Sequence, residues 1–186
     1  MGASTPSEAG THVGASTDPG ALIVGRTPAR DRWQWLEADT PLPAHGPLAV
    51  PLSRWLAGRG TLRARPDALG VRLEPDDDPA PLAPDLDRLA MIAIRFPQFT
   101  DGRGYSLARL LRERLGWRGE LRAVGDVQRD QLLYLSRVGF DAFALRTDDD
   151  AAEAARAFEA FSEAYQAAWD RPQPLFRRRA AAPEGR

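Results

Sequence analysis

The sequence of 186 residues predicts an α/β protein built on a parallel sheet of about five strands, as an open sheet or a partial barrel. Short apolar runs alternate with amphipathic stretches along most of the chain. The connections between runs span about 10 to 25 residues and hold a helix, which implies right-handed βαβ units and parallel pairing. A full eight-stranded barrel typically needs about 250 residues, more than this chain has. A partial barrel leaves sheet edges that a second subunit covers, so a homodimer is expected.

Residues 1–20 are rich in Gly, Ala, Ser, Thr and Pro and are expected to form a disordered arm. Residues 21–175 make a single α/β domain, and 176–186 form a basic tail carrying Arg177, Arg178 and Arg179. Within the domain, LAVPL at 48–52 is the first strand, followed by a helix over 53–59. LGVRLE at 69–74 is the second strand, then a turn over 76–81 and a short helix over 84–89. MIAIRF at 91–96 is the third. The helix over 106–115 places Leu107, Leu110, Leu111 and Leu115 on one face, with Ser106 as its N-cap and Gly116 as its stop. LRAVG at 121–125 is the fourth strand, followed by a helix over 127–138 stopped by Gly139. AFAL at 142–145 is the fifth. Asp150 and Glu153 resemble a capping box opening a helix that runs to about Trp169, with Phe158, Phe161 and Tyr165 on its apolar stripe.

Composition excludes several function classes. Hydrophobic content of 43% and charged content of 27% are globular values. A net charge of −1 gives no case for nucleic acid or an anionic membrane. No apolar run approaches the roughly 18 residues that span a bilayer. The first twenty residues lack a basic n-region and an apolar h-region, so a cytoplasmic location is expected. Cysteine is absent, which removes disulfides, thiolate nucleophiles and cysteine-ligated iron–sulfur clusters. The two histidines, His12 and His45, lie in the N-terminal arm and a Pro/Gly loop, away from any metal-site or triad spacing. No cofactor and no metal are therefore expected. All 25 basic residues are arginine, so a lysine Schiff base and a P-loop lysine are excluded as well.

Charged residues gather just past the strand ends: Glu74, Arg95, Asp126 and Arg146. In a parallel sheet these ends share one edge, where α/β proteins place ligand sites. Asp101 and Arg103 join them from the long turn after MIAIRF. Such a rim suits a small anion held by guanidinium forks, with Asp101 and Asp130 orienting the arginines. The same groups also suit a network that pairs internally and orders the loops. In the turn DGRGYS, Gly102 and Gly104 permit positive φ or close backbone approach, and a helix starting near Ser106 aims free N–H groups at the same space. With Arg103 this makes a cradle for phosphate, sulfate or sulfite; a tight loop with Asp101 bonded to backbone N–H groups accounts for the same residues. The turn is neither a Walker A loop nor GxGxxG. Asp126 and Asp130, one helical turn apart, fit a carboxylate pair with Asp126 as catalytic base, a magnesium site, or a helix cap. Phe96, Phe99, Tyr105 and Trp117 fit a flavin or substrate pocket, or a core.

The segments IAIRFPQFTDGRGYSLARLLRERLG, GELRAVGDVQRDQL and GFDAFALR resemble a bacterial family known as domain of unknown function 934. The resemblance extends over roughly Ala21 to Trp169 and is carried by Arg95, Phe96, Phe99, Asp101, Gly102, Arg103, Gly104, Tyr105, Gly125, Asp126, Asp130 and Gln131. Members are labelled as oxidoreductases of sulfite reduction, through their association with sulfate-assimilation enzymes, and the family supplies no established catalytic residues. The resemblance implies a cytoplasmic accessory protein of assimilatory sulfate and sulfite reduction. It would bind a small oxyanion, or a partner such as sulfite reductase or another sulfate-assimilation enzyme, at the strand C-terminal rim. Two alternatives stand beside it. One is an enzyme that acts on an arginine-held anionic substrate with a carboxylate base. The other is a non-catalytic docking module that uses an exposed sheet edge and the basic tail.

Overall fold

The structure is a computed structural model, and it describes residues 21–146 and 150–158 together with Trp169. Strands β1 (Leu22–Val24) and β2 (Thr27–Ala29) form a hairpin around Gly25, whose φ of +63° suits the first position of a two-residue turn. Six further strands follow: β3 (Gln34–Trp35), β4 (Leu48–Pro51), β5 (Leu69–Leu73), β6 (Met91–Phe96), β7 (Glu120–Gly125) and β8 (Ala142–Ala144). These six lie side by side in chain order and run parallel. The hairpin adds to the β8 edge, where β1 pairs antiparallel with β8.

The sheet is therefore mixed and eight-stranded among the described residues, not a parallel sheet of five. The five expected strands are all present. The three additional ones are only 2 or 3 residues long, too short for side-chain alternation to register in the sequence. Pro28 in β2 is tolerated because β2 is an edge strand.

The sheet curls into a half-barrel, and chain length explains why. β2 and β3 occupy opposite edges, about 33 Å apart if eight strands lay flat. Ala29 and Gln34 are joined by a link that reaches no more than about 18 Å. The edges must bend toward each other, and residues 30–33 cross the concave side as a strap.

Alternation then assigns the two faces. Val71, Leu73, Ile92, Ile94, Leu121, Ala123 and Phe143 point outward into the main core, under α1 (Leu52–Arg63), α2 (Arg103–Arg109) and α3 (Leu132–Arg137). Ala49, Met91 and Ala93 point into the concavity, where Trp33, Trp35 and Val124 pack on them. A Cβ on Gly70 would come within 3.2 Å of the Trp33 ring and 2.7 Å of Met91, so glycine is what lets the strap lie this close.

Several helix boundaries differ from expectation. The segment after β5 forms a 3-10 turn at Ala80–Asp85 instead of a helix at 84–89. α2 begins at Arg103, three residues before Ser106, and continues through a π turn at Leu110–Arg114 to Gly116, φ +69°. After β7 a 3-10 turn at Arg129–Gln131 leads into α3, which Gly139 closes with φ +111°. α4 (Ala151–Ala155) is capped by Asp150, which accepts from the Ala152 N–H at 2.8 Å, while Glu153 pairs with Arg129 at 2.6 Å. Phe158 packs on Phe143 with ring centroids 5.5 Å apart. The N-terminal arm, the basic tail, Phe161 and Tyr165 lie outside the described residues.

One charge pins the strap. Arg122 of β7 points into the concavity and its side chain is 2% exposed. It donates to Asp31 at 2.9 Å and to Glu120 at 2.7 Å, and its guanidinium lies 5.8 Å from the Trp35 ring. Asp31 also accepts from the Trp35 Nε1 at 2.8 Å and the Trp33 N–H at 3.1 Å. Burial opposes the Asp31 carboxylate, but hydrogen bonds from Trp35 and Arg122 and the Arg122 charge outweigh it and hold its pKa below the ordinary value.

Asp31→Ala is expected to cost about 1.5–3 kcal/mol, the range for losing hydrogen bonds to a charged group. A depressed folded-state pKa contributes stability that is complete above the unfolded value of about 3.9 and is lost as pH falls through the folded value. Asp31→Asn should therefore flatten the acid side of the stability curve in urea melts at several pH values. An unchanged acid limb would mean that this charge does not hold the strap.

Candidate functional site

The C-terminal ends of β5 to β8 bring Glu74, Arg95, Asp126 and Arg146 to one rim, as their positions in the sequence suggest. They meet as ion pairs. Arg95 Nη1 lies 3.2 Å from Glu74 Oε2, and Arg146 Nη1 lies 3.5 Å from Asp126 Oδ1. Deeper on the same face, Arg72 grips Glu37 with both terminal nitrogens, at 3.0 and 2.8 Å. Those bonds from Arg72 hold the Glu37 carboxyl below its usual range against the effect of burial, with a smaller contribution from the Arg95 charge.

The arginines are not equivalent. Arg103 gives Nε and Nη2 to Asp101, at 2.9 and 2.6 Å, and Nη1 to Asp76. This clasp ties the loop after β5 to the loop after β6, and it lowers the Asp101 pKa through the bonds from Arg103. Arg95 and Arg146 instead make one long contact each, and about half of each side chain faces solvent, 46% and 51%. Arg95 lies on β6 and Arg146 just past the end of β8, with β7 between those strands.

The expected phosphate-type cradle is not assembled by the DGRGYS turn. Gly102 has φ −78° and open space where a Cβ would be, so it needs no special conformation. Gly104 is required by packing, since a Cβ would fall 2.5 Å from the Phe96 ring. Ser106 is an exposed residue inside α2 and not its N-cap. Asp101 accepts from the Arg103 N–H at 3.1 Å, the tight-loop arrangement. The glycine with positive φ at this rim is Gly125, at +96°, where a Cβ would sit 2.4 Å from the Phe96 carbonyl oxygen.

Asp126 and Asp130 do not share a helix face. Gln128 is extended, at φ −113° and ψ 156°, so the chain turns helical only at Arg129 and Asp126 lies in the preceding loop. Gln128 and Gln131 form the cap, and Asp126 Oδ2 accepts from the Phe99 N–H at 2.9 Å. Asp126 thus braces the loop after β6 and positions Arg146. Asp130 is exposed at the first turn. Of the four candidate aromatic residues, Phe96 and Trp117 are buried in the core, and Tyr105 packs edge-on to Phe96 at 5.7 Å. Phe99 remains exposed.

Asp31, Glu37, Arg72, Glu120 and Arg122 line the concave face and were not singled out from the sequence. A signal was present. In LGVRLE and GELRAV the charged residues fall on alternate positions, opposite the core-facing leucines. Parallel strands covered on both faces are normally apolar throughout, so a charge at period two marks a polar inner face.

No group of three or more His, Asp or Glu side chains among the described residues is placed to hold a metal ion, and no helix there is long and apolar enough to cross a membrane. Fold and rim define a mixed α/β half-barrel with an arginine–carboxylate mouth. The chain belongs to the family described as "Bacterial protein of unknown function (DUF934)", whose profile matches residues 70–176, from β5 onward. No curated protein and no solved structure matches the chain.

If Asp126 acts as a hydrogen-bond acceptor and not as a base, Asp126→Asn should stay within about 0.5 kcal/mol of the parent, the range for neutral surface changes. Asp126→Ala should lose about 1 kcal/mol with the Phe99 bond. Urea melts of both variants check this; equal losses would place the role of Asp126 elsewhere.

Proposed function

We propose that this protein is an accessory component of assimilatory sulfate and sulfite reduction that binds a small oxyanion between Arg95 and Arg146 at the mouth of the half-barrel. The pathway rests on the family resemblance. The location rests on one observation: these two half-exposed guanidiniums each keep most of their donors uncommitted, whereas Arg103 spends its donors on Asp101 and Asp76. A guanidinium fork with free parallel N–H groups matches two oxygens of a sulfite or sulfate ion. The curled sheet supplies the geometry, because bending turns neighbouring strand ends toward a common axis. Without cysteine, the chain offers no thiolate for a cluster of its own. In this reading its part is to hold or hand over the anion, and electrons come from a partner reductase.

Calorimetric titration with sodium sulfite and sodium sulfate tests the site. Arg95→Ala and Arg146→Ala should each weaken binding about tenfold, equivalent to about 1.4 kcal/mol. Arg103→Ala should leave the affinity near that of the parent. Equal effects from all three variants would point to nonspecific charge. A strain lacking the gene should fail on sulfate or sulfite and recover with cysteine; normal growth on sulfate would remove the pathway assignment.

A further inference from the structure

Glu74 occupies a distinctive place at this rim. Its backbone is fixed from both sides by a turn: its N–H donates to Asp77 Oδ2 at 2.8 Å, and its carbonyl accepts from the Asp77 N–H at 3.1 Å. Its carboxylate is suspended between two arginines. Oε2 lies 3.2 Å from Arg95 Nη1, and Oε1 lies 3.5 Å from Arg72 Nε. The Arg72 side chain is largely buried and its terminal nitrogens are taken by Glu37, while its Nε is buried with no hydrogen-bond partner. A buried unpaired N–H is costly, and a small approach of Glu74 would satisfy it.

We infer that Glu74 is a displaceable placeholder for the anion, holding Arg95 in the empty state and moving onto Arg72 Nε when an oxyanion takes Arg95. The inference rests on the oxyanion site proposed above. The carboxylate of Glu74 offers one oxygen, Oε2, to Arg95 Nη1, so it competes with the ligand for that donor. Its other contact gives it somewhere to go. The Glu74 carboxylate pairs with Arg72 and Arg95; the anionic groups nearby are Asp77, which holds the Glu74 N–H, and Glu37 behind Arg72, so moving from Arg95 to Arg72 Nε keeps the carboxylate on a cation. Such competition sets specificity: a strongly basic, compact dianion displaces Glu74 more readily than a diffuse monoanion of the same size.

The test is calorimetric titration of the full chain with sodium sulfite under anaerobic conditions and, separately, with sodium sulfate. Glu74→Gln keeps the shape and the Asp77 turn while removing the competing charge. It should tighten binding about two- to fivefold, the worth of a surface ion pair. In an Arg95→Ala background the same change should have no effect, because the coupling runs through Arg95. A parent that binds weakly or not at all beside a Glu74→Gln variant that binds also supports the placeholder. Unchanged or weaker binding by the variant overturns it, as does equal tightening in the Arg95→Ala background. In either case Arg95-dependent binding by the parent keeps the site itself standing. If neither the parent nor the variant binds either anion, both the site and the placeholder fail.

Discussion

A short tether governs this fold. Residues 30–33 must join strands at opposite edges of an eight-stranded sheet, and they cross the concave face to do it. That requirement curls the sheet and brings the strap down on its inner surface. The inside of a curled sheet would ordinarily be filled by helices or by further strands. Here two tryptophans and a set of charged side chains fill it, because a strap of a few residues has too little apolar surface. Arg122 shows what this costs and how it is met: a guanidinium 2% exposed is surrounded by Asp31, Glu120 and the Trp35 ring, which offset the loss of its hydration. Burial pushes Glu120 up even so, with Arg122 opposing that shift.

The same curl shapes the mouth. Strand ends that would lie in a row along a flat sheet converge, so carboxylates and arginines from four strands reach one another. Most pair off. Arg72 with Glu37, and Arg103 with Asp101 and Asp76, are tightly engaged and order their loops. Arg95 and Arg146 sit in longer, half-solvated contacts. Ion pairs of this exposed kind are worth only about 0–1 kcal/mol, so exchanging one for a ligand anion is energetically accessible, whereas breaking the Arg122 cluster is not.

Much of this was legible in the sequence, for identifiable reasons. The strands at 48–52, 69–74, 91–96, 121–125 and 142–145 are apolar runs long enough to show their type, and Gly116 and Gly139 mark helix ends through positive φ. The charges past the strand ends were visible because a parallel sheet places them together. The N-terminal strands were not visible: LIV, TPA and QW are too short to show a period, although Gly25 between two of them is a hairpin signal. Serine favours a helix cap, which points to Ser106, but the helix starts earlier, at Arg103, and Gly104 in its first turn packs against Phe96. The period-two charges mark the inner face, but its pairing is not legible in the sequence, because Asp31 and Arg122 are far apart along the chain and meet only when the sheet bends.

The pairing of β1 with β8 also sets an order of events during synthesis. Leu22 lies opposite Ala144, so the first strand to leave the ribosome waits for the last one. At 5–20 residues per second that wait is roughly 6 to 25 s. Until then β1 and β2 form an isolated hairpin, which is marginal in water. The parallel strands from β3 to β7 can add one by one as they emerge, each onto its predecessor, while the hairpin is held in reserve. A nascent chain halted before Ala142 would expose both the bare edge of β7 and the unpartnered hairpin to other chains.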